Sequence, residues 1–241
     1  MAKDEIFKSE KSIAEDFRFT AQVAEVFDDM LARSVPNYQQ VISMSAQILS
    51  KFLKPGDTVY DLGCSTGATL LELARQLGEL DLKFCGIDNS PAMISKAVLK
   101  AEIYSKKEQV RFMEQDITEA DISGAGAIIL NYTLQFIRPM LRLEFLKKVH
   151  RALKPGGVLI LSEKIISHDP QLNRAFIDFY YKFKREQGYS EIEISKKREA
   201  LENVLIPFSS AENRKLLKEA GFSSIEPFFQ WFNFSSFVAV K

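Results

Sequence analysis

Four short segments carry residue types that could do chemistry at a ligand. Gly63-Cys64-Ser65-Thr66-Gly67 is a glycine loop between a β-prone run, Thr58 to Leu62, and a helical stretch, Ala68 to Leu77. Glycine lets a ligand come close to the backbone. Amides at the start of the following helix can hold an anionic group such as a carboxylate. Asp88 ends the next strand, about twenty residues past the loop, where a carboxylate accepts both hydroxyls of a ribose. Asp116 follows a third strand and could accept a hydrogen bond from an adenine amino group. Asn131 follows a fourth. Each alone is an ordinary turn, cap or loop residue. Together, in this order, they predict a nucleoside site, because ligands of an open parallel sheet bind beyond its carboxyl strand ends.

Two other chemistries share the loop. A dinucleotide fingerprint reads G-x-G-x-x-G, and the third glycine is missing here. The loop also satisfies G-x-S-x-G, the nucleophile elbow of hydrolases, with Ser65 as nucleophile. The wider context opposes hydrolysis. One strand precedes Ser65, no oxyanion segment lies upstream, and His150 and His168 fall in a helix and just after the fifth strand.

The elements that must position these residues follow from periodicity. Leu82–Ile87, Val110–Met113, Ala127–Leu130 and Val158–Ser162 continue the series begun at Thr58. They are short, apolar on both faces and separated mostly by helical stretches, the pattern of a parallel sheet covered on both sides. Ser90-Pro91 is a helix start, with serine at the cap and proline at the first helical position. Two amphipathic helices precede the sheet, the first from Thr20 and stopped by Pro36, the second with Val41, Ile42, Ile48, Leu49, Phe52 and Leu53 on its apolar side and ended by Lys54-Pro55-Gly56. Helices at 170–188, 190–204 and 211–220 follow it, and runs at 224–230 and 234–240 form a hairpin on its edge.

The expected fold is α/β: a doubly wound, mostly parallel sheet of about seven strands with a C-terminal antiparallel hairpin. A single domain spans 1–241, with an N-terminal helical segment at 1–56, a core at 57–167, an arm or lid at 168–204 and a closing helix and hairpin at 205–241. Residues 1–19 read as a charged arm.

Composition excludes several classes. With 32 Lys plus Arg against 32 Asp plus Glu, bulk positive charge cannot drive nucleic-acid binding. Two cysteines and two histidines, without ligand spacing, predict no metal site. No apolar signal region or membrane-length run is present, so a cytoplasmic location is expected. Arg138, Arg142, Lys147, Lys148, Arg151 and Lys154 stand against Glu144 alone, and read as a solvated basic face. The 19 phenylalanines, many after residue 170, predict an aromatic core, interface or pocket there. Phe176, Phe179, Tyr180 and Phe183 form one helical stripe, which predicts an arm that covers the site and builds a homodimer.

Asp61-Leu62-Gly63-Cys64-Ser65-Thr66-Gly67 resembles the first motif of class I S-adenosylmethionine-dependent methyltransferases. The likeness is closer to one branch of them. Ser34-Val35-Pro36-Asn37-Tyr38, Gly86-Ile87-Asp88-Asn89-Ser90, Asn131-Tyr132-Thr133-Leu134-Gln135-Phe136, Leu161-Ser162-Glu163-Lys164, Phe183-Lys184-Arg185 and Lys196 to Val204 resemble the carboxy-S-adenosyl-L-methionine synthase family.

The resemblance implies a class I methyltransferase-like Rossmann fold. It implies conversion of S-adenosyl-L-methionine to carboxy-S-adenosyl-L-methionine, with prephenate as carboxyl donor leaving as phenylpyruvate. The product would supply a separate tRNA carboxymethyltransferase that modifies wobble uridine, with no direct tRNA binding expected here. Carried over by position, Tyr38, Gly63, Cys64, Ser65, Asp88, Asn89, Asp116, Ile117 and Asn131 bind the sulfonium nucleoside. Arg198 holds the transferred carboxylate and is the catalytic residue. The physics is compatible: a methyl beside positive sulfur is weakly acidic, and a dry pocket lets its carbanion meet carbon dioxide before water. The new carboxylate needs a paired donor in such a pocket, which a two-pronged guanidinium supplies. The rival readings are a methyltransferase acting on a small molecule or RNA, and a noncatalytic subunit that binds S-adenosylmethionine.

Overall fold

Strands apolar on both faces need cover on both, and that requirement organises this molecule. The computed structural model describes residues 2–8 and 16–241. Two helices come first, α1 (Ala21–Ser34) and α2 (Tyr38–Leu49). Then follow β1 (Thr58–Leu62), α3 (Ala68–Gln76), β2 (Lys83–Asp88), α4 (Pro91–Ile103), β3 (Val110–Glu114), β4 (Ala125–Asn131), α5 (Pro139–Ala152) and β5 (Leu153–Ile166). The chain continues through α6 (Pro170–Glu186), α7 (Glu191–Leu201), β6 (Phe208–Ser209), α8 (Ser210–Glu219), β7 (Ser224–Trp231) and β8 (Phe234–Val240).

The sheet runs β3-β2-β1-β4-β5-β8-β7, with β6 paired to β5 off this path. β1 to β5 are mutually parallel, while β8 is antiparallel to both β5 and β7. This is the expected mostly parallel sheet with a terminal hairpin. Strand order reverses between β1 and β4, which opens a crevice at their carboxyl ends.

Alternation along the strands fills two cores. Leu62, Ile128, Leu130, Leu159 and Leu161 pack on one face with Phe145, Leu146 and Val149 of α5. Val59, Ala127, Ile129, Val158 and Ile160 face the other way, against Ile42 and Leu49 of α2 and Leu70 and Leu73 of α3. Each such Leu or Ile, once fully buried, contributes roughly 1.5–3 kcal/mol. Ser90 caps α4 as expected: its Oγ accepts from the Met93 N–H at 3.3 Å, with Pro91 at the first turn.

Four local features depart from the sequence reading. Lys154-Pro155-Gly156-Gly157 lies within β5, where a register shift separates the pairs Ala125↔Leu153 and Ala127↔Val158. Gly156, at φ +74, supplies the bend. β6 is only two residues long, below what periodicity detects.

The basic face at 138–154 is corrected at Arg142, which is 1% exposed. Its guanidinium donates to the carbonyls of Ile137 (2.8 Å), Gln135 (3.1 Å) and Ile206 (2.7 Å), so its burial is matched by acceptors. Nor is the N-terminal stretch simply a charged arm. Met1 and residues 9–15 lie outside the described residues, but Asp4 is buried. Asp4 accepts from the Tyr189 hydroxyl at 2.5 Å and pairs with Lys197 at 3.6 Å.

Candidate active site

The strand ends converge on one cavity of about 910 Å³. That is near the upper end for small-molecule sites, roughly 300–1,000 Å³, and leaves space for a second small molecule beside a nucleoside. Residues 16–20 cross its rim. The Phe17 N–H donates to Ala200 O at 2.9 Å, and Ser90 Oγ donates to Phe19 O at 2.8 Å.

The loop after β1 is shaped by its first glycine. Gly63 sits at φ +81, and a Cβ there would lie 2.5 Å from Thr133 Cγ2 and 2.6 Å from Thr133 Oγ1. Gly63→Ala combines left-handed strain of about 1–2 kcal/mol with that collision. The expected result is a drop of several degrees in Tm and at least tenfold weaker S-adenosylmethionine binding, read by calorimetry.

The loop is clamped to the end of β2. Ser65 N–H and Ser90 N–H each donate to one oxygen of Asp88, both at 2.9 Å. A carboxylate offers about four lone-pair sites, so two remain for hydroxyls of a ligand. Burial raises the Asp88 pKa, and the two amides oppose that rise. On the other side, Tyr38 and Thr69 share a hydrogen bond of 3.0 Å, and Asn131 Nδ2 donates to Thr69 at 3.3 Å.

All ten residues expected at the site line this cavity: Tyr38, Gly63, Cys64, Ser65, Asp88, Asn89, Asp116, Ile117, Asn131 and Arg198. Asp116 is exposed, and its Oδ1 accepts from the N–H (2.8 Å) and hydroxyl (2.7 Å) of Thr118. Ile117 packs partly on the core. Asn89 is exposed. Cys64 is buried, and burial pushes its thiol well above the usual range, so it is a neutral wall. Arg198 is exposed at the cavity's edge, and its guanidinium hydrogen-bonds with Tyr181. Ser65 has the positive φ of 48 that a sharp elbow needs, but neither histidine lines the cavity. His150 instead packs edge-on to Phe222 at 5.1 Å.

The structure adds residues the reading did not assign. Asp61 is 2% exposed, and its Oδ1 has no hydrogen-bond partner among the described residues. Burial, helped by the charge of Asp88, pushes its carboxyl up to about 8. Asn131 Oδ1 is likewise orphaned. Two unpaired acceptors on residues lining one cavity fit a ligand that brings its own donors, such as an ammonium group. Tyr132, Lys164, Lys184 and Lys197 also line the cavity. Asp61 was visible as the acid opening the loop motif. Lys184 and Lys197 carried no signal of their own, because charged residues on helices read as solvated, and Lys164 lies near the end of a strand whose other face is largely apolar.

Comparison with known proteins bears on this site. A family model described as a methyltransferase domain matches residues 59–157. The carboxy-S-adenosyl-L-methionine synthase of Desulfotalea psychrophila is 59% identical, covering 99% of this chain and 97% of that one. Its namesake from Wolinella succinogenes is 49% identical, covering 99% of this chain and 98% of that one. Among solved structures, an O-methyltransferase family protein from Burkholderia thailandensis superposes with a TM-score of 0.71 at 18% identity. That match covers 98% of this chain and 66% of the longer neighbour, and speaks for the fold alone.

Proposed function

The chain belongs to the carboxy-S-adenosyl-L-methionine synthase family, and on that footing we propose that it carboxylates S-adenosyl-L-methionine with prephenate as the donor. It is a transferase: S-adenosyl-L-methionine is its substrate and carboxy-S-adenosyl-L-methionine its product. The observation that carries the proposal is the convergence of the glycine loop, Asp88, Asp116, Asn131 and Arg198 on one cavity with room for two molecules.

In this reading Asp88 takes the ribose hydroxyls and Asp116 the adenine amino group. Asp61 and the Asn131 carbonyl meet the methionine ammonium. The sulfonium supplies an acidified methyl C–H. Prephenate breaks its ring–carboxylate and ring–hydroxyl bonds to give phenylpyruvate, carbon dioxide and hydroxide; the hydroxide takes the methyl proton and leaves as water, and the methyl carbon bonds to the carbon dioxide. Arg198 pairs with the carboxylate so formed. The strap at 16–20 and the arm at α6–α7 limit water. The product would then supply an enzyme that carboxymethylates wobble uridine in tRNA. The test is the mass of the nucleoside after incubation with prephenate. Gain of one carboxyl group supports the reading. Loss of the methyl group favours a methyltransferase, and binding without turnover favours a noncatalytic subunit.

The arm also supports a homodimer. Leu172 is 52% exposed, Phe179 44% and Phe232 37%, and Phe179 stacks on Phe232 with centroids 4.5 Å apart. Such an apolar patch is the kind of surface a second copy covers. Sedimentation is expected to give twice the 27.4 kDa chain mass, and a concentration-independent monomer would overturn it.

A further inference from the structure

Three ammonium groups stand together on the cavity wall formed by β5, α6 and α7. Lys184 is 5% exposed and Lys197 6%, while Lys164 is partly buried. Only Lys197 has an acidic partner, Asp4, together with a 3.0 Å bond to Ser34 Oγ. Lys164 and Lys184 have no carboxylate partner among the described residues. Their Nζ atoms lie 5.1 and 4.7 Å from the centre of the Tyr180 ring. Burial lowers the pKa of both; for Lys184 the charges of Lys197 and Lys164 add to that and the charge of Asp4 opposes it. A buried charge without a partner is costly. The wall therefore holds two buried amines that no carboxylate contacts among the described residues, poised to be charged by an anion that enters. The Tyr132 hydroxyl, in the same aromatic cluster, is buried with no partner among the described residues.

We propose that Lys164 and Lys184, with the Tyr132 hydroxyl, form an anion subsite that binds the carboxylates of the donor beside the nucleoside. The proposal rests on the functional reading above and adds the donor's recognition to it: a small dicarboxylate. The chemistry fits a two-carboxylate donor better than a neutral one. Two ammonium groups offer two point charges, and the tyrosine rings offer an apolar surface between them. Carboxylates come from two sources, the donor and the methionine tail of the nucleoside. The experiment separates them.

In the full chain, Lys164→Met and Lys184→Met are expected to raise the prephenate KM at least tenfold each at saturating S-adenosylmethionine. The double variant raises it a hundredfold or more. The S-adenosylmethionine Kd, measured by calorimetry, stays within threefold. Lys184→Arg keeps the charge and recovers most of the affinity. An unchanged prephenate KM in the double variant overturns the proposal, and so does a loss confined to the S-adenosylmethionine Kd. If the wild type makes no carboxylated product, the functional reading fails by itself. The subsite is then read from equilibrium binding of prephenate to the S-adenosylmethionine-saturated protein. Weaker binding by the double variant supports it. Equal binding by wild type and double variant, or none by the wild type, overturns it.

Discussion

Arg198→Ala is expected to reduce formation of carboxylated product by ~10–10²-fold, while S-adenosylmethionine affinity stays within threefold. The magnitude follows from electrostatics. A hydrogen bond to a charged group contributes ~1.5–3 kcal/mol, and each 1.36 kcal/mol is tenfold in rate. The selectivity follows from position. Arg198 is exposed at the cavity's edge and hydrogen-bonded with Tyr181, so its loss leaves the nucleoside end of the cavity and the core untouched. Tm should barely change, which separates this outcome from misfolding. Arg198→Lys restores charge without the parallel pair of donors and should recover only part of the rate. Product measured by mass at saturating donor decides it. Wild-type turnover in the alanine variant would remove Arg198 from the chemistry.

The second large effect is expected at Asp61, with opposite signs for stability and binding. Its buried carboxyl, raised to about 8, carries an acceptor with no partner. An acid whose pKa is raised by folding stabilises the folded chain most when protonated. The ligand-free protein therefore loses stability as pH climbs from about 4, the unfolded value, towards about 8. Asp61→Asn keeps the shape and removes the charge. Its ligand-free Tm should match the wild type near pH 4 and exceed it by several degrees at pH 8. For a chain of this size ~1 kcal/mol is worth roughly 2–4 °C. Binding moves the other way. A hydrogen bond to a charged group contributes ~1.5–3 kcal/mol, so S-adenosylmethionine affinity should fall between tenfold and a hundredfold. Calorimetry at both pH values checks both signs. Equal Tm at pH 8, with unchanged affinity, would place Asp61 outside the site.

Much of this architecture was legible because topology constrains it. Val158 to Leu161 are apolar on both faces, and such a strand belongs in a covered parallel sheet. Once β1, β2 and β4 are parallel neighbours, Gly63, Asp88 and Asn131 must emerge at one edge. Asp116 joins them because β3 pairs parallel with β2. Arg198 itself came from the resemblance rather than from periodicity.

What stayed hidden were charges with unusual surroundings. Arg142 sits on a helix among five other basic residues, and nothing in that pattern reveals three carbonyls waiting for it. Lys197 and Arg198 are adjacent in the chain, yet the turn of α7 buries the first and exposes the second. Asp4 finds its partners far away, beyond any local signal.

That last tie matters to anyone handling the protein. A nick by a protease just after Asp4 would release the carboxylate that pairs with Lys197. The damage would surface far along the sequence, as an ammonium deprived of its partner in the reaction chamber.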